Sequence, residues 1–107
     1  MRLTPDEIVN LSTAVGEFVG KNPVELRLYG SRTDDRLKGG DIDLLLLTDS
    51  IKKKNELQTQ KHLILARIKE LVGEQRIDLK IAQIDEKEQD PFLQVIYPKS
   101  LLLKKWP

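Results

Sequence analysis

Cysteine is absent from the 107-residue chain, which removes disulfide frameworks, thiolate zinc sites and cysteine nucleophiles. Carboxylate, histidine or hydroxyl chemistry remains, and histidine occurs once, as His62. Aromatic residues are only 5% of the chain; Phe18 is expected in the core, while Phe92, Tyr97 and Trp106 fall near the end. No apolar run approaches the roughly 18 to 20 residues that span a bilayer, and MRLTPDEIVN lacks the apolar centre of a signal peptide. The expectation is a cytoplasmic protein with no membrane role. Charge of one sign is missing too: 18 basic against 17 acidic residues leave +1, which argues against a broad basic footprint for nucleic acid.

What is present suits one small domain over 1–107, with 39% hydrophobic residues beneath a surface fed by 33% charged ones. An enzyme of this length has to be a minimal one. Thr4-Pro5-Asp6-Glu7 reads as a helix start, with Thr4 as N-cap, Pro5 at the first helical position and Glu7 as capping-box partner. The stripe Ile8, Leu11, Val15, Phe18, Val19 then runs to a stop at Gly20, Asn22 and Pro23. Val24 to Tyr29 alternates like a half-buried strand, and Asp41 to Leu47 begins by alternating before becoming continuously apolar, as a central strand does. Gly30 to Gly40 connects them.

From Ile51 to Val72 the spacing of Leu57, Ile64, Ile68, Leu71 and Val72 predicts one long helix. Lys52, Lys53, Lys54, Glu56 and Lys61 are expected on its outside, and Gly73 as its C-cap. Arg76 to Ala82 alternates again, so strand, helix and strand suggest a parallel crossover. Asp90-Pro91 should open a brief helix to about Tyr97, with an edge strand or docking segment over Ser100 to Lys104. The fold class expected is α+β (α/β), a small mixed sheet with helices packed on one face.

The chemistry concentrates between Gly30 and Leu44. Asp41 and Asp43 lie one residue apart on a strand and so point to one face. Like charges held this close make sense around a divalent cation, and hard oxygen ligands favour Mg²⁺ or Mn²⁺. Gly30 lets backbone approach a ligand, and Ser31 offers a hydroxyl and an amide to phosphate. Arg32 is a candidate for a bidentate phosphate contact, with an exposed loop arginine as the equal alternative. Antiparallel pairing of the first two strands would make phosphate cradle and metal site neighbours. Asp78, on the next parallel strand, is the candidate third carboxylate, as base or second-metal ligand in displacement at phosphorus.

This Gly-Ser turn followed by Asp-x-Asp resembles the signature of the DNA polymerase beta-like nucleotidyltransferase superfamily. The short chain looks most like its minimal nucleotidyltransferase (MNT) domain proteins, the antitoxins of HEPN/MNT pairs. The resemblance implies nucleotide contacts at Gly30 and Ser31, magnesium at Asp41 and Asp43, and completion of the triad by Asp78. It implies transfer of a nucleoside monophosphate, usually AMP from ATP, to a hydroxyl, here of a HEPN partner encoded nearby. Gly40 departs from the pattern, since many relatives have Ser before the first aspartate. The rival expectation is a binding module that neutralises its partner by complex formation alone.

The bland readings are specific too. Lys80 shares a face with Asp78 and suits a structural ion pair; His62 suits the solvated side of its helix; Lys52-Lys53-Lys54 suits a solvated helix start.

Overall fold

The computed structural model describes residues 1–34 and 41–107. The connection expected between Gly30 and Gly40 thus falls, from 35 to 40, outside the described residues, and with it the departure at Gly40. Helix α1 (Pro5–Val19) starts as its capping box dictates: the Thr4 Oγ1 accepts from the Glu7 amide at 3.1 Å, and the Glu7 carboxylate accepts from the Thr4 amide at 2.9 Å. Strands β1 (Val24–Tyr29), β2 (Ile42–Thr48) and β3 (Ile77–Gln83) follow in the expected places. The last strand, β4 (Leu101–Trp106), completes a sheet of order β3-β2-β1-β4. β1 is antiparallel to β2 and β4, whereas β2 and β3 are parallel, so the sheet is mixed.

One face of this sheet carries Leu26, Leu28, Ile42, Leu44, Leu46, Leu79 and Ile81 into the main core. Leu11, Val15 and Val19 of α1 meet them there, with Leu57, Ile64 and Ile68 from the 51–72 region. Trp106 folds back onto this core, its indole beside Gly16. The fold is therefore α+β with helices packed against a mixed sheet.

Three details differ from the sequence expectations. The helix from 51 to 72 is two helices, α2 (Ile51–Thr59) and α3 (Lys61–Val72), parted at Gln60, whose ψ of 4° leaves the helical range. The Thr59 hydroxyl donates back to the Asn55 carbonyl at 3.0 Å, a side-chain bond that competes with the ladder and bends helices. Helices also do not occupy one face only. The short helix α4 (Pro91–Ile96) places Leu93 against Tyr29, Leu45, Leu47 and Ala82 on the other face.

Lys53 is the third difference: it is buried, not solvated. Its Nζ donates to the Phe18 carbonyl at 2.7 Å, in the last turn of α1, a helix with no basic residue of its own there. A cation from α2 thus satisfies an end-of-helix carbonyl that α1 leaves open. Lys53→Met is expected to destabilise the protein by about 1–3 kcal/mol, the scale of a charged hydrogen bond whose buried acceptor is orphaned. Lys52→Met, on the exposed side, should stay within about 0.5 kcal/mol. Urea unfolding of the two variants checks the contrast.

Candidate active site

β1 ends at Tyr29, and the chain turns at once through a 3₁₀ segment, Gly30–Thr33. Gly30 has φ 79°, in the region that side chains avoid. A Cβ at this position would lie 2.3 Å from the Asp43 carboxylate oxygen Oδ2 and 3.2 Å from its Cγ. The glycine is needed twice over, for the turn and for the approach of Asp43 to bare backbone. The turn closes on itself through Thr33 Oγ1 to the Gly30 carbonyl, 2.7 Å, and the Asp34 amide to the Ser31 carbonyl, 3.2 Å.

Register then gathers the carboxylates. Tyr29 stands opposite Asp43 across β1 and β2, and Asp43 stands opposite Asp78 across β2 and β3. Neighbouring strands lie about 4.8 Å apart, so three side chains form a row across the sheet on the face that α4 only partly covers. Asp41 lies one residue before β2 on the same side as Asp43; its Oδ2 is 4.0 Å from Arg76 Nε, an exposed and weak pairing. Asp78 is exposed and open to an approaching group.

Electrostatics reports the same crowding. Burial raises the Asp43 carboxyl above its ordinary range, and the charges of Asp78 and then Asp41 raise it further. The Tyr29 phenol is pushed up to about 12, first by burial and then by Asp78 and Asp43. Phe92 packs edge-on against Tyr29, with ring centroids 5.8 Å apart.

Oxygen-only donors on one face, next to a turn of exposed backbone, fit a hard divalent cation, whose charge would relieve the crowding of Asp41, Asp43 and Asp78. Among the described residues, no group of three or more His, Asp or Glu side chains is gathered tightly enough to share one ion. Asp41 and Asp43 share one side of the strand, and Asp78 stands opposite Asp43 on β3.

Arg32, the further phosphate candidate, is held by its own set of hydrogen bonds. Its Nη1 donates to the Arg2 carbonyl at 3.0 Å and its Nη2 to Gln75 Oε1 at 3.2 Å. Gln75 in turn donates to Glu7 Oε2 at 3.0 Å. The Glu7 carboxyl is held below its ordinary range first by the Thr4 amide and then by Gln75. Arg2 returns the favour, its amide donating to the Arg32 carbonyl at 2.8 Å and its Nη2 to the Ser31 carbonyl at 3.3 Å. Arg32 therefore ties the turn to the segment before α1 and, through Gln75, to Glu7 of α1 and to the approach to β3.

The structure brings Gly30, Asp41, Asp43 and Asp78 to one end of one sheet face, with Ser31 next in the turn. Tyr29 and Gln75 join the site's surroundings without being marked by the sequence motif. Tyr29 had a readable signal, its place directly before the glycine, whereas Gln75 had none. Compared with models of protein families, with curated proteins and with solved structures, the chain matches none. No described helix is long and apolar enough to cross a membrane.

Proposed function

We propose that the protein is a cytoplasmic, magnesium-dependent nucleotidyltransferase that moves a nucleoside monophosphate, AMP from ATP, to a hydroxyl on a partner protein. The observation that carries this reading is the packing of the Asp43 carboxylate against the bare Gly30 turn, in register with Asp78. A phosphate chain laid on Gly30 and Ser31 would then lie beside the carboxylates. Asp41 and Asp43 would hold the divalent cation, Mg²⁺ or Mn²⁺. Such an ion, when bound, offsets phosphate charge and polarises the phosphorus being attacked.

The chain's own residues supply the rest. The Ser31 hydroxyl and amide orient the phosphates. The acceptor oxygen forms a bond to the α-phosphorus, the bond from that phosphorus to the bridging oxygen breaks, and pyrophosphate departs. Asp78, exposed at the row's end, takes the acceptor proton. Buried Tyr29 walls the row and keeps its own proton throughout, given its raised pKa.

The partner rests on the family resemblance: an MNT-like chain of this size calls for a HEPN-type acceptor. Incubation with labelled ATP, magnesium and the product of the neighbouring gene should label that protein. Failure to label it, under conditions where the two proteins form a complex, would overturn the enzymatic reading in favour of neutralisation by binding.

A further inference from the structure

A transferase needs somewhere to seat its acceptor. β3 borders the sheet, with β2 on one side and, among the described residues, no strand on the other. A groove of about 290 Å³ crosses that border. Asp78, Lys80 and Phe92 form its wall on the open face, and Gln58 and Lys61, at the break between α2 and α3, form the opposite wall. Leu79 and Ile81 line it as well, although their side chains are only 2% and 3% exposed and sit in the main core. What these two present to the groove is backbone, the outward edge of a strand that has no further strand beside it among the described residues. Gln58 Nε2 already donates to the Ile81 carbonyl at 3.4 Å, so that edge carries hydrogen-bonding groups turned outward.

The walls add charge. Lys61 makes no ion pair among the described residues. Lys80 meets Asp90 only at 3.9 Å and lies over the Phe92 ring at 5.3 Å. Two cations flank an open backbone edge that leads to Asp78.

We infer that this groove is the acceptor site and that it takes an extended, acidic segment of a partner protein, added to β3 as a fifth strand; the acceptor role rests on the transfer reaction proposed above. Backbone bonds to the Leu79 and Ile81 edge supply affinity, and the lysines select charge. Side chains two residues apart share a face, as Asp78 and Lys80 do. A hydroxyl residue beside Asp78 therefore has its acidic neighbour two positions away, beside Lys80.

The experiment uses ¹⁵N-labelled full chain and two synthetic peptides. Each has a central tyrosine; one has Glu and the other Lys at the two positions before and the two positions after it, so that charges face both walls. The acidic peptide should shift the Leu79 and Ile81 amide resonances and bind at least ~10-fold more tightly than the basic one, as two screened charge contacts allow. The double variant Lys61→Glu, Lys80→Glu, with an otherwise unchanged spectrum, should reverse the preference. Shifts confined to another part of the chain, or equal affinity for both peptides, would overturn the inference. Labelled ATP separates the two proposals. Equal transfer to both peptides would overturn the groove and keep the transferase. Acidic-peptide binding at β3 with no transfer to any acceptor would overturn the reaction and the acceptor role, and keep the docking edge.

Discussion

Gly30→Ala is expected to lower stability by about 1–3 kcal/mol and nucleotidyl transfer by about 100-fold. The stability cost comes from φ 79°, a left-handed conformation that an alanine adopts only under strain. The activity cost has another source. A methyl group 2.3 Å from Asp43 Oδ2 overlaps the carboxylate, and the carboxylate, as the free end of a side chain, is what gives way. Asp43 then swings off the row that it makes with Asp78, and a displacement of about 1 Å at a reacting centre is worth about 100-fold. Gly73→Ala separates the two costs. Gly73 has φ 97°, yet a Cβ there meets nothing within 4 Å, so it carries comparable strain without the site. It should lose stability on a similar scale and retain transfer, as measured by urea unfolding and label incorporation. Equal activity in the two variants would show that the contact between Gly30 and Asp43 has no part in the reaction.

Most of the sheet was legible in the sequence because strands advertise themselves by alternation. Val24–Tyr29 emerged with its bounds unchanged, and β2 and β3 each began one residue later than expected. The parallel pairing of β2 with β3 followed from the intervening helices, and it was this that aligned Asp43 with Asp78. What remained hidden depended on partners distant in sequence. Lys53 looks like any residue of a lysine run until the Phe18 carbonyl is known to lie beneath it. The bonds of Arg32 to the Arg2 carbonyl and Gln75 are equally invisible until the fold brings those partners to it. The break at Gln60 escaped because apolar spacing survives it, with Leu57 and Ile64 seven positions apart and both in the core. That break sets Gln58 and Lys61 at the border of β3.

Asp43→Asn should abolish transfer and yet stabilise the protein, and this opposition is the sharpest consequence of the site's electrostatics. Burial, Asp78 and Asp41 all raise the Asp43 carboxyl, so in the folded state its ionised form is disfavoured relative to the unfolded chain. The folded state then binds the proton more tightly. In the pH interval between the unfolded value, 3.8, and the raised folded value, it holds more protons than the unfolded state, and stability falls as pH rises through that interval. Above it the full penalty persists. Asparagine carries no charge at any pH, so the variant is relieved of this penalty at neutral pH, and its advantage narrows on acidification until Asp43 is protonated in the wild type. Urea midpoints taken from pH 7 down to pH 3.8 measure that narrowing. Activity moves the other way: asparagine keeps the shape but surrenders the negative oxygen, and losing even an indirect partner of a metal site costs about 10–100-fold, so loss of a ligand should exceed about 100-fold. A variant that is more stable and inactive identifies a carboxylate kept for chemistry at the expense of the fold. A variant that is less stable and still active would place Asp43 among the structural residues and remove the basis for the proposed reaction.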